Sequence, residues 1–261
     1  MRILCCLILL SCSILSLSSS TSLDCSYEYW TFAVIGSIYH CEVQKDPNIT
    51  TPESAVIDAA SGPHHGPKVN NDVAGFYVNN KNMKINFFPL GLEKIYKNLR
   101  MIFIHHHGIK ELHQSDLKDL TKLKYLSLTD GLIQVIKEGL FDFNLDLLYI
   151  SFEDNRISQI HPEVFNSLTK LTYLGLNGNR CQFSNANNTT EVVKLIRKIK
   201  ISCPINDSLT TADESTFEIE DDLTDTKDVK SNAEASEGCM AAPRIDIIVI
   251  ITTLLHLLTF K

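Results

Sequence analysis

A chain of 261 residues, 44% of them apolar, can build one well-packed core with tails, which excludes a wholly disordered protein. The formal net charge of −7 is unevenly spread: ten acids face only Lys227 and Lys230 between Asp207 and Ser236, whereas Leu23 to Asn206 balances 19 acids with 19 bases. The part able to fold has no bulk positive field, which excludes nucleic acid as its partner.

The chain opens with Met1-Arg2 and an apolar run from Ile3 to Leu17, followed by Ser18, Ser20 and Ser22. A basic start, a short apolar stretch and small residues make a secretory signal over 1–22, with cleavage after Ser20 or Ser22; an uncleaved anchor is the alternative. Residues 23–74 read as an N-terminal cap and loop. The segment "YEYWTFAVIGSIYHCEV", which follows Cys25 and includes Cys41, is rich in β-formers. His64 and His65 follow in a Gly/Pro loop with no matching cluster of carboxylates or cysteines, so the loop is expected to pack over the cap.

A fixed period then governs residues 75–180. Leu99, Leu123, Leu147 and Leu171 are 24 residues apart. So are Ile102, Leu126, Ile150 and Leu174, and again Ile104, Leu128, Phe152 and Leu176. Ile109, Ile133 and Ile157 follow in the same register, then Leu112, Ile136 and Ile160. Leu117, Phe141 and Phe165 share a later slot. A degraded unit, Gly75 to Asn98, keeps Val78, Met83, Ile85 and Phe88 in step but puts Gly75 and Asn80 in slots that are normally apolar. Asn155 and Asn179 share the slot after the strand, where an amide can bond the backbone of neighbouring turns. Met83, His107 and Gly131 hold that slot in the earlier units.

The pattern resembles the leucine-rich repeat, most clearly in "LLYISFEDNRISQIHPEVFNSLTK" and "LTYLGLNGN". It implies an α/β solenoid: a short horseshoe with one strand per repeat, a parallel concave sheet and a cap at each end. The stretch "SGPHHGPKVNNDVAGFYVNNKNMKINFFPLGLEKIYKNLRMI" is similar to short extracellular leucine-rich-repeat proteins of dipteran insects. That resemblance implies secretion and a recognition or adhesion role, and it supplies no site residues.

After the repeats, 181–204 reads as a C-terminal cap. Thr190 to Ile201 is expected to be a helix with Val192, Leu195, Ile196 and Ile199 on one face and Lys194, Arg197, Lys198 and Lys200 on the other. Residues 205–236 have the composition of an acidic, extended stalk. Residues 237–261 end in an apolar run, Ile245 to Phe260, behind a polar spacer and the small residues around Ser231 and Ser236. That order matches the signal for a glycosylphosphatidylinositol anchor attached at Ser236 or Ser231; a single-pass helix and simple secretion are the alternatives. Of eight cysteines, Cys5, Cys6 and Cys12 would leave with the signal and Cys239 with the tail. Cys25, Cys41, Cys181 and Cys203 remain. Three pairings are open, and Cys25–Cys41 with Cys181–Cys203 is the economical one. Asn48, Asn187, Asn188 and Asn206 are glycan acceptors, of which the overlapping Asn187 and Asn188 can fill at most one.

In repeat register, Met101, Tyr125, Tyr149 and Tyr173 form one outward column on the concave sheet. Phe103, Ser127, Ser151 and Gly175 form the next, then His105, Thr129, Glu153 and Asn177. Met101, Phe103, Tyr125, Tyr149, Glu153 and Tyr173 are therefore the expected binding residues, on a face suited to a protein edge. His105, His106 and His107 are expected to diverge and to hold no metal. No phosphate loop, HExxH or GxSxG occurs, and no cofactor is expected. The function expected is non-catalytic recognition of an extracellular protein ligand or co-receptor by a lipid-anchored module. A secreted matrix protein and a single-pass co-receptor are the rivals.

Overall fold

The computed structural model describes residues 21–203. The expected signal, stalk and anchor segments, with Asn206, Ser231 and Ser236, lie outside the described residues. An eight-stranded sheet lines one side of the molecule. Strands β1 (Thr21–Phe32) and β2 (Gly36–Val43) form an antiparallel hairpin, and β3 (Ile57–Ser61) runs parallel to β1 at the outer edge. Beyond β2 come β4 (Gly75–Asn79), β5 (Met101–His105), β6 (Tyr125–Thr129), β8 (Tyr149–Ser151) and β10 (Tyr173–Gly175), all parallel. The chain returns along the convex side through helical turns α1 (Leu92–Ile95) and α2 (Gln114–Leu117). The short paired strands β7 (Val135–Ile136) and β9 (Gln159–Ile160) lie there too. Helix α3 (Thr189–Ser202) closes the last turn.

The period explains the core. The Leu, Ile and Phe slots at 24-residue spacing are buried throughout, from Leu99, Ile102 and Ile104 to Leu171, Leu174 and Leu176. Phe141 stacks between Phe152 and Phe165, with centroids at 6.4 and 5.8 Å, forming a spine on the convex side. No repeat covers its own apolar faces, so neighbours must stack. The Asn slot works as expected in the later turns. Asn155 Oδ1 accepts from the Ile133 N–H at 3.0 Å while its amide donates to the Leu128 carbonyl at 2.8 Å. Asn179 does the same with Ile157 and Phe152.

The first repeat departs from the expected register. Gly75 pairs with Met101, Phe76 with Ile102 and Val78 with Ile104, a spacing of 26 residues. On the convex side the 24-residue step survives, since Ile85 and Phe88 are buried in the slots of Ile109 and Leu112. Two extra residues therefore sit in the turn after β4, and exposed Asn80 belongs to that turn. A two-residue shift leaves each side chain on its face. Gly75 thus occupies an outward slot, and Val73, fully buried, takes the leucine position.

Disulfides Cys25–Cys41 and Cys181–Cys203 hold the two caps. The loop after β3 packs on the N-terminal cap: His64 stacks on Tyr27 with centroids 3.8 Å apart, and its Nε2–H donates to Asn70 Oδ1 at 3.0 Å. At the other end Asn188 caps α3 by accepting from the Glu191 N–H at 3.0 Å. Val192, Leu195 and Ile199 are buried against the last repeat, with Ile196 partly so.

Candidate functional site

The tyrosine column forms as the period requires. Met101, Tyr125, Tyr149 and Tyr173 are adjacent in register. The rings stack nearly parallel: Tyr125 to Tyr149 at 4.1 Å and 4°, Tyr149 to Tyr173 at 4.2 Å and 3°. Strand spacing of about 4.8 Å places the rings in contact.

Half of the column is closed. Met101 is 0% exposed and Tyr125 only 7%, against the expectation that both face solvent. The cause is the hairpin, whose tip runs past the concave strands and bends over the face. Gly75 leaves a gap in the outward row, and a Cβ there would lie 2.8 Å from both Ile38 and Met101. Ile38 fills the gap with Met101. Phe32 reaches Tyr125 at 5.3 Å between centroids, and Ile35 packs on the same cluster. Trp30 packs edge-on to Tyr77 at 4.5 Å and, with it, seals His40. Phe103 is half-buried and stacks on Tyr77 at 4.7 Å. The sequence reading missed Trp30, Phe32, Ile38 and Tyr77 at this place; the apolar tip "TFAVI" between the cap cysteines was the available signal.

The C-terminal half stays accessible. Tyr149 and Tyr173 are half-buried. Glu153 stands beside them on a fixed bed: Tyr173 Oη–H donates to its Oε1 at 2.7 Å, Ser151 Oγ–H to the same oxygen at 2.9 Å, and Asn185 Nδ2–H to Oε2 at 2.9 Å. Gly175 makes room, since a Cβ there would sit 2.6 Å from Glu153 Oε1. Burial, reinforced by the Glu153 carboxylate, pushes the Tyr173 phenol above its usual range, so it remains a donor. Asn185 was not anticipated. Its Oδ1 also accepts from the N–H groups of Leu176 and Asn177, both at 3.0 Å, and so ties the C-terminal cap to this face. The arrangement offers an aromatic strip, a fixed carboxylate and small neighbours, which suits contact with a partner's surface.

At the rim of the sheet the expected divergence of three histidines holds for only one. His107 turns inward into the Asn slot and is 5% exposed. His106 adopts a left-handed φ of 59°, as Asp130, Asp154 and Gly178 do in the following repeats at 53°, 54° and 74°. That turn breaks the strand's alternation and brings the ring of His106 to 3.8 Å from that of His105. His106 Nδ1–H donates to the Asp130 carboxylate, and His105 Nδ1 pairs with Thr129 Oγ1 at 2.7 Å.

Comparison with known families matches residues 121–180 to the leucine-rich repeat. The chain contains a leucine-rich-repeat domain. No catalytic family is indicated, and no curated protein matches the chain. Among solved structures it is similar to one of the Drosophila Toll–Spatzle complex, at 13% identity and a TM-score of 0.39 over 48% of this chain and 17% of that one. It is also similar to an internalin from Listeria monocytogenes, at 23% identity and a TM-score of 0.35 over 48% of this chain and 33% of that one. The chain thus spans a third or less of the length of these structures. Among the described residues, no helix is long and apolar enough to cross a membrane.

Proposed function

We propose that the chain is a non-catalytic recognition or adhesion module at the outer face of a membrane. It would hold a protein ligand or co-receptor on the C-terminal half of its concave sheet. The observation that carries this reading is the half-open stack of Tyr149 and Tyr173 beside the hydrogen-bonded carboxylate of Glu153. Stacked rings lose little freedom on binding and present apolar edges with hydroxyls. The leucine-rich-repeat fold, commonly used for protein recognition, and the two disulfides support an oxidising, extracellular setting.

The processing we propose follows from the same features. Thr21 and Ser22 both pair with β3; cleavage after Ser20 keeps these two pairings, and cleavage after Ser22 would remove them. Asn48 is exposed and suits a glycan. Asn187 suits one better than Asn188, whose Nδ2–H donates to Glu191 Oε1 at 2.7 Å within the helix cap. The small residues at Ser231 or Ser236 before the apolar run support a glycosylphosphatidylinositol tether. Retention as a membrane helix would make the chain a co-receptor, and release would make it a matrix protein.

The test compares the oxidised wild type with Tyr149→Ala, Tyr173→Ala and Glu153→Gln as baits for extracellular proteins. A hot-spot Tyr→Ala change removes about 2 kcal/mol or more of binding, near a thirtyfold loss. The expected result is a bound protein that the variants lose while secreting and melting like wild type. Equal capture by all variants would move the ligand off this face.

A further inference from the structure

We propose a divalent transition-metal site at the rim of the concave sheet, formed by His105, His106 and Asp130. One ligand atom from each of the three side chains lies within 4.8 Å of the others, a spread that a single ion can close with small side-chain rotations. Two imidazoles and one carboxylate select zinc and its neighbours over calcium or magnesium, which take oxygen ligands. Three protein ligands leave a fourth position open to water or to a group from a partner.

Backbone geometry makes the site, because consecutive residues on a strand point to opposite faces. His105 ends β5 and faces outward. His106 would turn away, but its φ of 59° swings the ring back beside His105. Asp130 is one repeat further on, in the same left-handed slot, and it already takes the His106 Nδ1–H. The repeat thus stacks a carboxylate next to an imidazole, and metal binding would release the proton that they share. His105 is half-buried and oriented by Thr129, which limits the motion needed to ligate. This site does not depend on the tyrosine surface. Elsewhere among the described residues no other three such side chains converge in this way.

The experiment titrates the metal-free full chain with zinc ions, read by competition against a chromophoric chelator and by the melting temperature. His106→Asn and Asp130→Asn are the informative variants because Asn tolerates the left-handed conformation. His65→Ala, at an exposed histidine remote in sequence, is the control. Loss of an outer-shell partner already costs ~10–100-fold in metal affinity. Removal of a ligand should therefore weaken binding by about 100-fold or more. We expect one zinc per wild-type chain and per His65→Ala chain, with a rise in melting temperature that both rim variants lose. Matched melting temperatures in chelator establish that the variants fold. Absence of saturable binding in the wild type, or unchanged zinc affinity in both folded rim variants, overturns the site.

Discussion

His107 and Gly131 occupy consecutive Asn slots and form a substitute for the amide ladder. His107 Nδ1 accepts from the Ile109 N–H at 3.2 Å, while Nε2 is buried without a partner. Its ring lies where a side chain at 131 would be, since a Cβ there would fall 2.1 Å from His107 Cε1. Burial lowers the His107 pKa from 6.5 to about 4, and burial also lowers that of His40. A group with a depressed cationic pKa binds more protons unfolded than folded. Its contribution is therefore complete above the unfolded value and is lost as pH falls below 6.5, levelling off near 4. For His107 the loss between pH 7 and pH 5 is about 2 kcal/mol. Denaturant melts at the two pH values should show this fall in the wild type and a smaller one in His107→Asn. Gly131→Asn alone should destabilise by about 1–3 kcal/mol through overpacking. The double variant should recover most of that loss as the ladder re-forms, a coupling that a double-mutant cycle reads directly.

At the scale of elements, the hairpin of β1 and β2 decides which part of the concave face remains available. Phe32 is its contact with the tyrosine stack, at 5.3 Å from Tyr125. The side chain is only half-buried, so Phe32→Ala should cost about 1–2 kcal/mol rather than the ~3–5 kcal/mol of a core phenylalanine. Trp30 is the one tryptophan in the chain and lies in the same hairpin, 6.3 Å from Phe32 between ring centroids, so its fluorescence reports the change. A red shift with retained solenoid melting is the expected outcome; an unchanged spectrum would mean that the tip is held by β2 alone. These elements also mark how far the sequence could be read. The inward slots, the disulfides and the tyrosine column were legible because each repeats at a period or pairs economically. The hairpin's reach over Met101 was not, because a cap lies outside the period and its packing depends on the gap at Gly75. The two-residue insertion after β4 escaped for a related reason. It keeps the inward and outward alternation, so hydrophobic pattern alone cannot register it. The rim histidines were misread because a left-handed turn suspends the alternation on which their divergence was argued.

On the scale of the whole molecule, a solenoid couples each turn mainly to its neighbours, so its two ends are held separately. The accessible half of the concave face belongs to the C-terminal end. Strand β10 bonds on one side to β8 and on the other to Ala186, where Leu174 and Ala186 exchange backbone hydrogen bonds at 3.0 Å. Asn185 fixes Glu153 from the same segment. The Cys181–Cys203 bridge ties that segment to the end of α3, and the Ile160 N–H donates to the Cys203 carbonyl at 3.0 Å. Replacing both cysteines with alanine removes the restraint on a loop with a sequence separation of 22 residues, at a cost of about 2–4 kcal/mol. The loss should be local rather than global. Hydrogen exchange should accelerate first in α3, β10 and β8, while β4 and β5, gripped by the N-terminal hairpin, keep their protection. The binding proposed at Tyr173 and Glu153 should fail with the C-terminal turns, although the first repeats remain folded. Uniform loss of protection along the whole sheet would instead show that the repeats melt as one unit, with the two caps acting on the same equilibrium.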